Sequence, residues 1–179
     1  MKTKIVAIAG SAGSFSTIKD ILDCLPNYIN YSILICMHRG TNHSDEMQKT
    51  LAIKTNILIS ELKHQTLIKT NNIYIVPANY HCYINKEKYS ILTTEEYYNY
   101  CRPSIDILFN SIAKFEQAAT GILLSGANHD GAEGLLNIYN KGGCAIIQLP
   151  EECKFDIMPH EALKKCPQII VYKVEKIKK

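Results

Sequence analysis

The chain has 179 residues, close to the usual size of one domain and enough to bury a single sizeable core. Hydrophobic residues make up 46 % and charged residues 21 %, with 9 Gly and 6 Pro, which excludes a disordered, collagen-like or linker-dominated chain. Twenty Lys and Arg against 17 Asp and Glu leave a net charge of +3, too slight to indicate nucleic acid; Lys173, Lys176, Lys178 and Lys179 read as a solvated basic tail.

Residues 5–9 form the first short apolar run. Lys2 and Lys4 ahead of it imitate a signal peptide, but the run is shorter than the roughly 7–15 apolar residues of a real one, so it reads as a strand. A helical pattern of Ile18, Ile21, Leu22 and Leu25 stops at Pro26. Strands follow at residues 33–37, 57–59 and 73–76. Residues 66–94 hold two or three strand-like pieces with little helix between them, including 81–84 and 89–92, and read as an antiparallel hairpin excursion. Ser104 is a candidate N-cap for a helix carrying Ile105, Leu108, Phe109 and Ile112. A strand at 122–124 leads through a Gly-rich loop to the apolar face Leu135, Leu136 and Tyr139, closed by Gly142-Gly143. A strand at 145–147, a last helix with Pro159 at its first position and ending before Pro167, and a strand at 169–172 complete the order. Runs apolar at consecutive positions suit strands covered on both faces. The expected fold is therefore α/β: one domain over residues 1–179, doubly wound, with a mostly parallel sheet and helices on both faces.

No apolar run approaches the roughly 18–20 residues a membrane helix needs, so no membrane insertion is expected. The cysteines number seven, an odd count, with no C-x-x-C pair and no metal-ligand spacing with His. They read as reduced thiols of a cytoplasmic protein without a bound metal.

Ligands of open α/β sheets lie beyond the carboxyl ends of the strands. There the first strand runs into Ala9-Gly10-Ser11-Ala12-Gly13-Ser14, a small-residue turn before a helix, similar to a nucleophile elbow with Ala9 in place of the first Gly. The same turn also suits phosphate, although it lacks the middle glycine of G-x-G-x-x-G and the lysine of a P-loop. The second strand ends at His38-Arg39-Gly40. The loop Ser125–Gly134 carries Asp130, which reads both as a carboxylate able to orient a histidine and as an N-cap with Glu133 as its capping-box partner. Ser11, His38 and Asp130 are thus the three members a triad requires, at the ends of three strands.

Taken together these residues resemble the catalytic domain of the CheB-type protein-glutamate methylesterases. Ile8-Ala9-Gly10-Ser11-Ala12-Gly13 is similar to the family's I-G-A-S-T-G, Met37-His38 to its Q-H, and Tyr74-Ile75-Val76-Pro77 with His81 to Y-I-A-P-x-x-x-H. Arg102-Pro103-Ser104-Ile105-Asp106-Ile107-Leu108-Phe109 resembles R-P-S-V-D-V-L-F. The stretch from Leu124 to Leu135 resembles L-T-G-M-G-x-D-G-A-x-G-L, and Met158-Pro159 with Ala162 the closing G-M-P-x-x-A. The resemblance implies Ser11 as nucleophile, His38 as general base and Asp130 as its orienting carboxylate, with backbone N–H groups of Ala12 and Gly13 as the oxyanion hole and no cofactor. It also implies methylated chemoreceptor cytoplasmic domains as substrates, and deamidation of receptor glutamines as a related reaction.

Departures from the family pattern cluster at the expected cleft. Ala12 replaces Thr, Ser14 a second Gly and Ala127 Met, while Arg39-Gly40 follows His38 where the family has Met-Pro and Ile157 stands for the Gly before Met158. Met1 opens directly into the first strand, where family members commonly carry a receiver domain, so control by in-chain phosphorylation is not expected. The alternative is a receptor-binding or scaffold module of the same fold with weak catalysis; a nucleotide-binding protein using residues 10–14 is a third.

Overall fold

A computed structural model of the chain describes residues 4–40, 44–51 and 56–179. Nine strands occur among them: β1 (Lys4–Gly10), β2 (Tyr31–Met37), β3 (Leu58–Glu61), β4 (Asn72–Ile75), β5 (His81–Ile84), β6 (Ser90–Thr93), β7 (Ala119–Leu123), β8 (Cys144–Gln148) and β9 (Ile170–Tyr172). The α-helices are α1 (Phe15–Asp23), α2 (Ser44–Leu51), α3 (Ile105–Ala113), α4 (Ala132–Asn140), α5 (Ile157–Lys165) and the one-turn α6 (Val174–Ile177). Seven strands form one parallel sheet in the order β3-β4-β2-β1-β7-β8-β9.

The apolar runs become strands because both of their faces find apolar cover. Along β1, Ile5, Ala7 and Ala9 join the core layer that holds Leu108 and Phe109 of α3, Leu135 and Ile138 of α4, and Met158 and Ala162 of α5. Ile8, between them, joins the opposite layer with Ile18, Ile21 and Leu22 of α1 and Leu51 of α2. The two-residue period of a strand distributes a continuous apolar run to both layers in this way.

Within residues 66–94 the antiparallel excursion is a separate two-stranded ribbon of β5 and β6 extended by an antiparallel Leu67–Tyr89 bridge, whereas β4, in the same span, lies between β3 and β2 in the parallel sheet. Two helices lie outside the sequence reading. Helix α2 is joined to β3 through Gln48 Nε2, which donates to Ile59 O at 3.0 Å. Helix α6 turns the basic tail into ordered structure, with Ile177 packed against the α1 layer and Lys176 Nζ 5.4 Å from the Tyr172 ring. Pro159 occupies the third position of α5, not the first, since the helix begins at Ile157. The first turn tolerates it there because N–H groups of the opening turn have no helical acceptor.

Helices α3 and α4 approach closely at Gly134. A Cβ there would lie 2.6 Å from Phe109 Cβ and 2.8 Å from Asp106 O, a backbone atom that cannot rotate away. Gly134→Ala should therefore destabilise the fold by about 1–3 kcal/mol, lowering Tm by roughly 2–12 °C in a chain of this size. Thermal unfolding followed by circular dichroism checks this; an unchanged Tm would mean that the two helices are not so tightly apposed.

Candidate active site

The sheet changes winding direction around β1. From β1 the chain first lays down β2, then β3 at the sheet edge and β4 between them, and later builds outwards through β7, β8 and β9 on the other side. A crevice opens at such a switch point, beyond the carboxyl ends of the strands. Ser11 follows β1, His38 follows β2, and Asp130 lies in the loop between β7 and α4. The Ser11 N–H donates to Ser125 O at 2.9 Å, tying the β1 and β7 ends together.

The turn at Ser11 is closed from within. Ser14 Oγ donates to Ser11 O at 2.7 Å, and the Ser14 N–H donates to the same oxygen at 3.1 Å. The positive φ of the turn falls on Gly13, at +82°, where glycine carries no Cβ penalty, and not on Ser11 as in a strained elbow. The N–H groups of Ala12 and Gly13 precede α1, and neither has a protein acceptor among the described residues. Both residues are exposed, so these donors are open to a ligand at a helix N-terminus.

His38 and Asp130 form a direct pair, with Nε2 2.7 Å from Asp130 Oδ2. The carboxylate is buried and accepts from Ser104 Oγ at 2.8 Å, from the Ile105 N–H at 2.6 Å and from the Asp106 N–H at 3.1 Å. Asp130 therefore satisfies the first turn of α3 from outside that helix. The expectation that it caps α4 is corrected: Gly131 is the α4 N-cap, at φ +95°, with no side-chain cap. The Gly-rich loop carries Asp130 across to α3, whose own N-cap Ser104 accepts from the Ile107 N–H as the sequence suggests.

Opposing forces set the charges. Burial favours neutral Asp130, but the His38 hydrogen bond and the Ile105 and Asp106 N–H groups outweigh it and hold the carboxyl below its ordinary value. Burial likewise disfavours the His38 cation, yet the hydrogen bonds to Asp130 and Cys101, with the charges behind them, raise its pKa from 6.5 to about 9. Asp106, beside them, is pushed up to about 7 by burial; the Gly134 N–H opposes this and the Asp130 charge reinforces it. Because His38 binds its proton more tightly folded than unfolded, its contribution to stability is complete below about pH 6.5 and disappears as pH rises through about 9.

The other ring nitrogen, Nδ1, faces the cleft. In the neutral ring, with the proton on Nε2 towards Asp130, Asn128 Nδ2 donates to Nδ1 at 3.0 Å, while Asn128 Oδ1 accepts from the Asp130 N–H at 3.1 Å and so fixes the amide. Cys101 Sγ is 3.8 Å from the same nitrogen and 3.3 Å from Asn128 Nδ2. The cleft encloses about 500 Å³ and is lined by Ser11, His38, Asn79, Cys101, Arg102 and Asn128 among others. Ser11 and His38 share this cleft without a hydrogen bond between their side chains among the described residues. His38, Cys101 and Asp130 hold potential ligand atoms within 4.8 Å of one another, but the Asp130 oxygens already accept four donors, so they do not form an open metal tripod.

Cys101, Asn128 and Asn79 are site residues that sequence reasoning missed. Asn128 and Arg102 lie inside matched motifs, the only signal available for them; nothing in the sequence points to Cys101. Arg102 braces the cleft wall by donating to Asn79 Oδ1 at 2.7 and 2.9 Å and to Thr94 O at 2.9 Å, with its guanidinium 4.4 Å from the Tyr97 ring. His81 is fully buried and structural: Nδ1 accepts from the Ser104 N–H at 3.2 Å and Nε2 donates to Glu96 O at 2.9 Å. His129 and His160 are exposed, His64 Nδ1 accepts from the Leu92 N–H, and His43 lies outside the described residues.

A parallel α/β sheet with a histidine–carboxylate pair and a serine at its carboxyl edge defines a hydrolase-type domain. The CheB methylesterase family matches residues 6–179, and the chain belongs to that family. It is 35 % identical over 178 residues to a Leptospira interrogans protein provisionally named protein-glutamate methylesterase/protein-glutamine glutaminase, covering 99 % of this chain and 92 % of that one. A Trichodesmium erythraeum protein of the same name is 32 % identical over 154 residues; the match spans 83 % of this chain and 43 % of the longer relative. The Thermotoga maritima CheB methylesterase catalytic domain superimposes with a TM-score of 0.92 over 99 % of this chain and 98 % of its own, at 22 % identity, and shares the fold. Among the described residues no helix is long and apolar enough to cross a membrane.

Proposed function

We propose that this protein is a cytoplasmic serine hydrolase, one catalytic domain, that removes methyl esters from glutamate side chains of methyl-accepting chemotaxis receptors. The observation that carries the reading is the 2.7 Å His38–Asp130 pair in the cleft that Ser11 lines. Ser11 Oγ attacks the ester carbonyl and its proton passes to His38 Nδ1. Asp130, at Nε2, holds the ring and stabilises the cation that forms. The free N–H groups of Ala12 and Gly13 meet the oxyanion. His38 then returns the proton to the departing methoxide, which leaves as methanol. Water then attacks the acyl carbonyl as its proton passes to Nδ1, the bond from that carbonyl to Ser11 Oγ breaks, His38 returns the proton to Oγ, and the glutamate leaves. A glutamine amide reacts by the same route with ammonia leaving, and the paired names of the relatives support both reactions.

Substrate must first displace the Asn128 amide from Nδ1, since that nitrogen has one lone pair. His38 must also be neutral, so kcat/KM should climb about tenfold per pH unit and level off near pH 9. A profile flat from about pH 7 to 9 would remove His38 from the role of base.

Methanol release from receptor-containing membranes methylated in vitro tests the function directly. The occupied Nδ1 favours the one competing reading, a receptor-binding module with little catalysis. Receptor binding without methanol release would support that module; robust release excludes it.

A further inference from the structure

Arg39, Arg102 and His38 line the cleft, and among the described residues no aspartate or glutamate lines it with them. A cleft of this charge suits an acidic partner. The two arginines differ in what they have left to give. Arg102 donates to Asn79 Oδ1 through Nε and Nη2 and to the Thr94 and Glu95 carbonyls through Nη1, so each of its nitrogens is engaged. Arg39, directly after His38, is held through Nη2 alone, which donates to Glu61 Oε2 at 3.1 Å and to Val76 O at 3.1 Å.

Nε and Nη1 of Arg39 are buried with no hydrogen-bond partner among the described residues, and the side chain is only 9 % exposed. Three of the five N–H donors of a guanidinium are therefore unspent, where water does not reach them. Donors of a buried cation are costly to leave unpaired, so they call for an acceptor. The fold does not account for the arginine: the family pattern has methionine here, and the Glu61 carboxylate that holds Nη2 is 38 % exposed, so water weakens the pair. Beside it the cleft wall is open, since a Cβ on Gly40 would meet no atom within 4 Å.

We propose that Arg39 is a specificity-determining residue that pairs with a second carboxylate of the substrate, so that the cleft selects glutamate methyl esters set in an acidic peptide. The ester itself is neutral and gives a guanidinium little to hold; the charge comes from a neighbouring aspartate or glutamate. Tethered at one nitrogen, the guanidinium turns about it and offers its unspent N–H groups to that carboxylate in charge-assisted hydrogen bonds. Because Arg39 adjoins His38 in the chain, the second carboxylate sits close to the ester. The identity of the ester rests on the methylesterase reading; the affinity for acidic peptides does not.

Binding and turnover are tested separately. Fluorescein-labelled peptides with one glutamate methyl ester, and Glu or Gln at one of the four positions on either side of it, are titrated into Ser11→Ala, which keeps the ester intact, and followed by anisotropy. At one position or more, Glu should bind about tenfold more tightly than Gln, and added salt should narrow the gap. Adding Arg39→Met should shrink the gap to within about twofold, while Arg39→Lys, which keeps the charge but not the planar fork, should restore part of it. The Gln peptide, read in the same variant, controls for folding. Glu61→Gln loosens the tether without touching the guanidinium, so the preference should persist there. In the unaltered protein, kcat/KM for methanol release should follow the same order of peptides. Equal or absent binding of Glu and Gln peptides at every position overturns the proposal, as does a preference that survives Arg39→Met. A preference lost in Glu61→Gln as fully as in Arg39→Met also overturns it, because Arg39 would then be only a brace. An Arg39-dependent preference in binding, with no methanol released from any peptide by the unaltered protein, would uphold the Arg39 site and sink the methylesterase reading.

Discussion

Ser11→Ala is expected to lower kcat for methyl-ester hydrolysis by about 10,000-fold or more while leaving the fold intact. The activity loss follows from chemistry: without the hydroxyl no covalent acyl intermediate forms, and the His38–Asp130 pair has no proton to take. The unchanged fold follows from structure. The Ser11 backbone, through its N–H to Ser125 O and its carbonyl accepting from Ser14, holds the turn, whereas no described hydrogen bond uses its hydroxyl. Ser125 is the contrasting serine. Its Oγ is shared between Ala12 O at 2.9 Å and Phe155 O at 3.0 Å and accepts from the Phe155 N–H at 3.0 Å, so Ser125→Ala should cost stability first. Matched circular dichroism and methanol release separate the two. Release from Ser11→Ala within tenfold of the unaltered protein would remove Ser11 as nucleophile.

Asp130→Ala should strike both properties at once. Four donors lose their acceptor: His38 Nε2, Ser104 Oγ and the N–H groups of Ile105 and Asp106. They surround a site that water barely reaches, so the expected loss is about 3–5 kcal/mol, a large share of the roughly 5–15 kcal/mol that keeps a domain folded. Turnover should fall about 10,000-fold in whatever fraction remains folded, because His38 loses both its orientation and the charge that stabilises its cation. Asp130→Asn separates the effects. One amide oxygen still accepts from the α3 N-terminus, so stability should recover in part, while the charge and hence turnover do not. Urea unfolding with parallel methanol assays reads both quantities. Turnover of folded Asp130→Asn within tenfold of the unaltered protein would end the assignment of Asp130 as the orienting carboxylate.

Much of this site is local in origin, and that is why it can be read along the chain. Small residues from Ala9 to Gly13 announce a tight turn after a strand, and His38 directly follows an apolar run, so both map to strand ends without knowledge of the fold. Asp130 is instructive in the other direction. Its spacing to Glu133 fits a capping box for the next helix, and local rules alone prefer that answer. The carboxylate instead reaches α3, distant in sequence, because α3 and α4 pack closely at Gly134 and bring an unsatisfied helix N-terminus to it. Helix α2 escaped notice because Met47 and Leu51 are the only apolar residues of Ser44–Leu51, too few to mark a periodic face.

The sequence by itself determined the alternating α/β order, the apolar strands covered on both faces, and the residue types at three strand ends, since all of these depend on neighbours one to four positions away. Only the tertiary structure decided what those residues touch. The His38–Asp130 bond spans 92 positions and exists because β2 and β7 deliver their loops to one edge of the sheet, while the Cys101–His38 approach spans 63 and brings in the segment between the β5–β6 ribbon and α3. Side chains that meet through packing leave no periodic mark in the chain, so Asn128 on the free ring nitrogen and Cys101 over it became visible only once the fold had closed.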